Sequence, residues 1–288
     1  MSLITAPAGT ARIARRRAVL PGFRLTLGTT VLYLSLIVLI PMVALVLTGA
    51  GIGPGRLWGI VTAPRTLAAL RITITAAALA TVINAVYGLL MAWVLVRYRF
   101  PGRRLLDALM DIPFALPTAV AGLSLTALYS GNGWFGTVLQ PLGLQVVYTL
   151  GGIVLAMTFT SIPFVVRAVQ PVLEELDPAL EQAAASLGSR GFTTFRRVIF
   201  PAIMPAWLGG VTTSFARSLG EFGAVVFIAG NLPFRTEVAS LLAYIRLEEY
   251  DYEGAAAIAL VLMVLAVALL FVSNLIQLRA ARHGAVTA

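Results

Sequence analysis

The sequence predicts an all-α integral membrane protein with six transmembrane helices, and three observations support this prediction. First, 59% of the 288 residues are hydrophobic and only 11% are charged, whereas a soluble domain carries about 25% charged residues. Second, six apolar runs reach the roughly 20 residues that a helix needs to cross the hydrocarbon core of a bilayer. Third, arginines are concentrated in alternate connections between these runs, as positive charge is in cytoplasmic loops.

The six apolar runs are continuous, and they lack the polar–apolar alternation that marks the strands of a membrane barrel. Because only helices and closed barrels satisfy their backbone hydrogen bonds in lipid, we expect the runs to be helical. The first run is longer than the apolar part of a signal peptide and no A-x-A-like cleavage site follows it, so we interpret it as an uncleaved span. The spans are predicted at residues 25–48, 67–96, 105–129, 148–169, 201–229 and 254–278.

The arginine distribution predicts that both termini are cytoplasmic. An N-terminal tail (1–24), the connection after span two, the segment after span four and a C-terminal tail (279–288), together with Arg167 near the end of span four, carry 15 of the 21 arginines. The connection between spans three and four has no charge, and acidic residues are in excess between spans five and six. The net charge of +9 is therefore explained by cytoplasmic loops of a transmembrane domain (25–278) in a bacterial cytoplasmic membrane, without nucleic acid as a partner.

Missing residue types argue against a membrane-embedded enzyme. The chain contains no lysine, so it has no P-loop and cannot act by itself as a Walker-type ATPase. It contains no cysteine, which excludes a thiol nucleophile and a thiolate metal site. Its single histidine, His283, lies in the C-terminal tail, where it is not expected to serve a Ser–His triad. We therefore expect no catalytic residue, no metal site and no cofactor bound by this chain.

A cytoplasmic segment between spans four and five, residues 174–200, is predicted to form a helix, a turn and a second short helix before Pro201 begins span five. Asp177 is a good N-cap, Pro178 suits the first helical position, and Gly188 suits the residue at which a helix ends. We interpret the segment as a helix that docks into the groove of a partner protein; the alternative is a helix that lies on lipid headgroups. The apolar and basic side chains available for docking are Leu187, Phe192, Phe195, Arg190, Arg196 and Arg197.

The spacing within this segment resembles the EAA loop of the permease subunits of binding-protein-dependent ABC importers. The family pattern is E-A-A, three residues, Gly, nine residues and I-x-L-P, and QAAASLG (182–188) followed by Pro201 matches it without a gap. Gln182 stands where the family has Glu, and Glu181 precedes it. The resemblance implies a type I ABC importer permease whose loop couples to an ATPase subunit. The coupling residues that it implies are Glu181, Gln182, Ala183, Ala184, Leu187, Gly188, Arg190, Phe195 and Pro201.

Other stretches resemble one branch of this family, the sulfate, thiosulfate and molybdate permeases. DIPFALPTAVAG (111–122) and RSLGEFGA (217–224) resemble that branch as a whole, whereas SIPFVVR (161–167), TEV (236–238) and LEEYDY (247–252) look most like the T-type subunit of sulfate/thiosulfate importers. The resemblance implies a heterodimer with a W-type sister permease, two ATPase subunits that bind ATP and Mg, and an extracytoplasmic sulfate/thiosulfate-binding protein, all assembled in membrane lipid. A molybdate or tungstate permease is the alternative.

Arg217 and Glu221 are the clearest charges within any predicted span. They lie four residues apart, so on a helix they share a face. A charge at the bilayer centre costs about 2.5–3.5 kcal/mol on insertion scales, which predicts that both face the bundle interior or a wet cavity. We hypothesise that they lie on the pathway of an anion, because guanidinium and hydroxyl groups bind oxyanions; a structural ion pair that fixes helix packing is the alternative. The predicted pathway residues are Arg217, Glu221, Thr213, Ser214 and Ser218.

Two further expectations concern span three and the mode of transport. Asp107 and Asp111 are expected to be solvated or to pair with Arg103 and Arg104. A secondary anion transporter that works alone is the remaining alternative, and it predicts internal repeats. No clear repeat is present in the sequence, and the coupling-type segment argues for an ATPase partner.

Overall fold

The computed structural model describes residues 23–285, and every regular element within that range is helical. This confirms the predicted all-α class. The N-terminal tail up to residue 22, which holds four of the arginines that supported the predicted orientation, and residues 286–288 lie outside the described residues. The helices are α1 (Phe23–Leu34), α2 (Ile40–Gly51), α3 (Pro54–Val61), α4 (Pro64–Arg97), α5 (Arg103–Leu109), α6 (Ile112–Ala115), α7 (Thr118–Tyr129), α8 (Gly136–Leu139), α9 (Leu150–Glu175), α10 (Pro178–Ser186), α11 (Gly191–Thr194), α12 (Phe200–Leu219), α13 (Gly223–Ile228), α14 (Ala239–Glu248) and α15 (Tyr252–Ala285).

Five helical stretches are long and apolar enough to cross a membrane, and a sixth candidate is a bent pair of helices. Two of the five contain a π-helical turn, which joins α1 to α2 at Ser35–Leu39 and α11 to α12 at Phe195–Ile199. Residues 25–47 of the first stretch form a unit of their own. The apolar side chains of this unit are exposed along nearly its whole length, as expected of a span that faces lipid. The five stretches are Leu25–Gly51, Pro64–Arg97, Leu150–Glu175, Gly191–Leu219 and Tyr252–Val272.

The core of the rest of the chain lies where α4, α9 and α12 pack against one another. Small residues allow the close approach, since Ala76, Ala77 and Ala80 of α4 are completely buried. Gly88 of α4 lies so close to α9 that an added Cβ would come within 2.7 Å of Val165 Cβ. Van der Waals packing of this kind drives helix association in lipid, where no hydrophobic effect operates between helices.

The region predicted as span three is not one straight helix. Its first part comprises α5 and α6 and its second part is α7, and the two parts are bent by 114° relative to each other. The break falls at Pro117, which has no backbone N–H and which favours an extended conformation in the residue before it. Leu116 accordingly has φ −83° and ψ 136°. The prediction of one span over 105–129 is corrected to a broken span or a re-entrant segment.

The helix of span five begins and ends earlier than the predicted range of 201–229. It is continuous from Gly191 to Leu219, so Pro201 does not begin it. The π-helical turn that precedes this proline changes the local hydrogen-bond register, which is one way in which a helix accommodates a residue without an N–H. After Leu219 the helix stops at Gly220, a poor helix former, and α13 starts separately at Gly223.

The connection between spans five and six contains a helix that the sequence pattern did not predict, α14. Ala239 and Leu242 on this helix are buried against Ala69 of α4 and Ile258 of α15. The first turn is fixed further by Ala239 N, which donates a hydrogen bond to Thr73 Oγ1 at 2.8 Å. The connection is therefore a packed part of the bundle.

Arg167 of α9 holds the bent region against the bundle. Its Nε and one terminal nitrogen donate hydrogen bonds to the two carboxylate oxygens of Asp111, both at 2.8 Å. Its other terminal nitrogen donates to Asp107 Oδ1 at 2.6 Å. The expected pairing of these aspartates with Arg103 and Arg104 is wrong. The aspartates lie four residues apart and face α9, so one guanidinium fork reaches both.

A methyl group at Gly122 is expected to destabilise the bundle. An added Cβ would lie 2.3 Å from Ala224 O and 2.7 Å from Ala224 Cα, and this backbone cannot yield without displacing α13. We expect Gly122→Ala to lower the free energy of unfolding by about 1–3 kcal/mol, measured as a lower thermal midpoint in detergent. Gly59→Ala, at a position with nothing within 4 Å of the added methyl, is the matched control. Equal midpoints for the two variants would contradict the close contact of α7 with α13.

Candidate functional site

The segment between spans four and five forms the predicted capped helix. Asp177 Oδ1 accepts a hydrogen bond from Ala179 N at 2.9 Å and so caps α10, whose first residue is Pro178. The helix is followed by Gly188, which has φ +80° in the left-handed region that glycine adopts without strain. The segment then enters α11, which continues through the π-helical turn into span five. The segment thus joins α10 to span five through one turn at Gly188.

The exposed side chains of this segment form a surface that we call the docking face. Leu187 and Phe192 are 89% and 77% exposed, which is unusual for large apolar side chains. Gln182 and Ala183 are exposed beside them, whereas Ala184 is buried. Adjacent exposed apolar side chains of this kind are typical of surfaces that contact another protein or a membrane. The docking face comprises Gln182, Ala183, Leu187, Gly188, Arg190, Phe192 and Pro201.

Two of the predicted coupling residues face inward and fasten the segment to α4. Glu181 forms an ion pair with Arg97, the last residue of α4. The Arg97 guanidinium carbon also lies 5.4 Å from the centroid of the Trp93 ring. Phe195 packs edge-on against the same ring, with centroids 5.3 Å apart. A cation over an aromatic face and an edge-to-face aromatic pair each contribute about 0.5–1.5 kcal/mol, so Glu181 and Phe195 couple the segment to a spanning helix.

Arg217 and Glu221 form the predicted ion pair, although only Arg217 lies on the spanning helix. A terminal nitrogen of Arg217 lies 2.6 Å from Glu221 Oε2, in a contact that is electrostatic rather than an aligned hydrogen bond. The Glu221 side chain is 1% exposed, and its Oε1 accepts a hydrogen bond from Ala224 N at 3.0 Å, in the first turn of α13. Ser240 Oγ donates to the Glu221 backbone oxygen at 2.9 Å. Glu221 thus joins three helices, and the 34% exposed Arg217 is the member of the pair that an anion can reach.

Ser214 and Ser218 lie in a buried polar cluster, together with Asn84 of α4 and Ser161 of α9. Asn84 Nδ2 donates hydrogen bonds to Ser161 Oγ at 2.8 Å and to Ser214 Oγ at 3.1 Å. The hydroxyls of Ser161 and Ser218 are 3.0 Å apart. All four side chains are completely buried. Interhelical hydrogen bonds in membranes contribute about 0.6–2 kcal/mol each, so the two predicted pathway serines fasten helices in this structure.

Thr213, the remaining predicted pathway residue, is exposed. Its hydroxyl donates a hydrogen bond to Gly209 O at 2.9 Å and still has lone pairs free. Thr213 lies one helical turn before Arg217, on the same side of α12. The predicted pathway set is therefore divided between an accessible pair, Thr213 and Arg217, and three buried residues.

Two interactions that sequence reasoning missed bear on the packing of α4 in the described part of the chain. Asn84 is the single amide side chain in α4, and a lone polar residue within an apolar span is a signal of helix contact. Arg65 and Glu237 form a two-pronged ion pair, with nitrogen–oxygen distances of 2.9 and 2.6 Å. They are separated by 172 positions in the sequence, and no local spacing could indicate that they meet.

The chain that carries this capped helix, joined to two spans and bearing exposed apolar side chains, matches a known family. Residues 84–282 match the family described as the inner membrane component of binding-protein-dependent transport systems. The chain belongs to this family. Membership confirms the resemblance found in the coupling segment, and it identifies the chain as an inner-membrane transport permease, a class of protein that is not an enzyme by itself.

Individual relatives and a solved structure agree with this membership. The permease is 54% identical over 267 residues to the sulfate transport system permease protein CysT of Salmonella typhimurium, and the match covers 93% of this chain and 96% of that protein. The protein of the same name from Synechococcus elongatus is 48% identical over 255 residues, covering 88% and 92%. A bacterial ABC transporter involved in alginate import superposes with a TM-score of 0.75 at 18% identity, covering 89% of this chain and 95% of that chain. That likeness confirms the predicted fold of an ABC importer permease.

Removing the Glu221 side chain is expected to cost more stability than removing its charge alone. Glu221→Ala leaves Ala224 N without an acceptor and Arg217 without a partner, and an unsatisfied buried group costs about 1–3 kcal/mol. Glu221→Gln keeps a side-chain oxygen that can accept the hydrogen bond from Ala224 N. The thermal midpoint of the glutamine variant should therefore lie between those of Glu221→Ala and the wild type. Identical midpoints for Gln and Ala would show that the bond to α13 contributes nothing.

Proposed function

We propose that this permease is the transmembrane subunit of an ABC importer that moves sulfate, and also thiosulfate, across the bacterial cytoplasmic membrane. The observation that carries the proposal is the 54% identity, over 93% of the chain, to a sulfate transport system permease. The stretches at 161–167, 236–238 and 247–252, which resemble T-type subunits, support it. The accessible guanidinium of Arg217 in an apolar bundle supports an anion as the transported species.

The energy for transport comes from partners of this chain. Without a lysine the permease has no P-loop of its own. We propose that two ATPase subunits bind ATP and Mg and hydrolyse the nucleotide, while this chain binds no cofactor. A W-type sister permease completes the transmembrane pathway as a heterodimer, and an extracytoplasmic binding protein delivers sulfate or thiosulfate.

The docking face is where an ATPase subunit contacts this chain in the proposed complex. Leu187 and Phe192 enter the partner's groove, and burial of each side chain contributes about 1.5–3 kcal/mol. Glu181 does not take part in that contact, because it is paired with Arg97 inside the permease. Movement of the ATPase then displaces α10, which pulls on α4 through this ion pair and on span five through the turn at Gly188.

Arg217 is the anion-contacting residue of the proposed pathway, with Thr213 as a hydroxyl donor one turn away. Glu221 neutralises most of the charge of Arg217, since the two groups are 2.6 Å apart. A neutralised arginine binds an anion weakly, and weak binding is what passage requires, because a strong site would retain the ion. Glu221 also fixes the position of the guanidinium relative to α13.

Charging the docking face should separate the permease from its ATPase. We expect Leu187→Asp to abolish copurification of the ATPase subunit, because a carboxylate cannot be buried in an apolar groove without a partner. Leu142→Asp, at a leucine that is 68% exposed on the opposite end of the bundle, is the matched control and should leave copurification intact. Retention of the ATPase by Leu187→Asp would rule out this face as the contact.

Replacement of Arg217 by a neutral residue should stop transport and leave assembly unaffected. We expect Arg217→Gln to abolish anion uptake while the ATPase subunits still copurify, because the residue lies far along α12 from the docking face. Arg56→Gln, at an exposed arginine paired with Glu253, controls for loss of one positive charge at the same end of the bundle. Uptake at the wild-type rate by Arg217→Gln would remove this residue from the pathway.

The proposed function is tested by uptake of radiolabelled sulfate in cells that lack the gene, with and without a plasmid that encodes the permease. We expect deletion to abolish uptake, the plasmid to restore it, and thiosulfate to compete while molybdate does not. If sulfate uptake is unchanged and molybdate uptake falls, the substrate assignment is wrong and a molybdate permease is indicated.

A further inference from the structure

Two arginines at one end of the bundle differ from their neighbours in having no acidic partner. In the part of the chain that the structure describes, six arginines lie towards the end that is predicted to be extracytoplasmic. Four of them are ion-paired, as Arg56–Glu253, Arg65–Glu237, Arg217–Glu221 and Arg246–Asp251. The remaining two, Arg71 and Arg235, form no ion pair within the described residues, and both are exposed.

Arg71 and Arg235 line the same cavity, which has a volume of about 520 Å³. Arg71 comes from α4 and Arg235 from the connection after α13. Thr75, one turn further along α4 than Arg71, adds an exposed hydroxyl. The other walls are apolar and are provided by Leu67, Ala68, Ile72, Leu150 and Phe234. The cavity thus combines two guanidinium groups and a hydroxyl with a low-dielectric wall, which strengthens electrostatic attraction.

The position of Arg71 in its helix favours a cavity that is open to water at the outer end of α4. Arg71 lies seven residues after the start of α4 at Pro64, which places it about 10 Å along the helix axis. A guanidinium at this depth is costly unless it faces water or a negative group. No carboxylate of the described residues pairs with Arg71, so its guanidinium is left to water or to an anion from outside the chain.

The connection that carries Arg235 is fixed to α4 at two points. Glu237, two residues after Arg235, forms the two-pronged ion pair with Arg65, and Ala239 N donates to Thr73 Oγ1 at 2.8 Å. Phe234 is held at φ +63°, in a region that bulky residues rarely adopt. The backbone that carries Arg235 is therefore fixed beside α4, and both arginines line one cavity.

We propose that Arg71, Arg235 and Thr75 form an entry site for a tetrahedral oxyanion with two negative charges at the outer mouth of the permease. The inference rests on the proposed function, and it identifies where sulfate first contacts this chain. Guanidinium forks donate parallel hydrogen bonds to oxyanions, and two unpaired guanidinium groups match the charge of a dianion. The entry site captures the anion because its arginines are not neutralised, whereas Arg217 next to Glu221 binds weakly and lets the anion pass.

The absence of cysteine from the chain allows a direct test that does not depend on transport. Ala68→Cys places a single thiol in the wall of the cavity. The whole complex is reconstituted in phosphatidylcholine nanodiscs, and the labelling of this thiol by a thiol reagent is followed by mass spectrometry of the permease chain. We compare the rates of a sulfonate-bearing and a trimethylammonium-bearing methanethiosulfonate reagent. Adding Arg71→Gln and Arg235→Gln should lower the anionic-to-cationic rate ratio about tenfold, because two attracting charges are lost.

The matched control removes two unpaired arginines from the opposite end of the bundle. Arg99→Gln with Arg104→Gln changes the net charge by the same amount and should leave the rate ratio unchanged. An equal fall in both pairs of variants would show a general charge effect and would overturn the entry site. An unchanged ratio in the Arg71 and Arg235 variant would overturn it as well.

Protection by sulfate distinguishes a free anion from a lipid phosphate. Sodium sulfate should slow labelling of the thiol relative to sodium chloride of equal ionic strength, and the double glutamine variant should lose this protection. If sulfate has no effect and phosphatidylglycerol in the nanodisc protects the thiol, the cavity is a headgroup site and the proposal is wrong. If neither protects, no anion site exists there.

Uptake measurements separate failure of this inference from failure of the proposed function. If the wild-type importer takes up sulfate and the apparent KM for sulfate is about tenfold higher in the double glutamine variant, the entry site and the proposed function are both supported. If the wild type takes up sulfate but sulfate does not protect the thiol, the entry site fails alone. If sulfate protects the thiol but is not transported, the proposed function fails and the oxyanion site stands.

Discussion

Charged and polar groups inside an apolar bundle must find partners within the bundle, and the rest of this structure depends on that constraint. Arg65 with Glu237, Arg97 with Glu181 and Arg167 with Asp111 each join elements that are distant in sequence. Lipid offers no hydrophobic drive for helices to associate, so these pairs, the Asn84 cluster and close contacts of small residues hold the helices in place. The position of every functional group follows from this set of contacts.

The same constraint gives the two ends of the bundle different roles. At the end predicted to be cytoplasmic, Glu181 and Phe195 face inward and fasten the coupling segment, which leaves Leu187 and Phe192 free to contact a partner. At the other end, Glu221 holds and neutralises Arg217, and the proposed entry site uses Arg71 and Arg235, which form no ion pair within the described residues. A charge that is paired internally contributes stability and position, as Glu181 and Glu221 do.

Much of the architecture could be predicted because it is encoded locally. Span length and apolar content identified the membrane helices, and the caps at Asp177 and Gly188 together with the QAAASLG spacing identified the coupling helix. Pro117 favours a break in span three, but the predicted span of 105–129 did not include one, and the 114° angle between its two parts is not encoded locally. The burial of Ser214 and Ser218, and the pairing of Arg65 with Glu237, result from contacts between distant segments that no periodicity reveals.

In the proposed transport cycle, the ion pair between Arg97 and Glu181 transmits movement from the segment 174–200 to α4. Sulfate uptake and ATP hydrolysis should be measured in Arg97→Glu, in Glu181→Arg and in the double exchange. We expect each single variant to hydrolyse ATP without transport, because like charges push α10 away from α4, and the double exchange to restore coupled uptake. Single variants that transport normally, or a double exchange as inactive as either single variant, would contradict it.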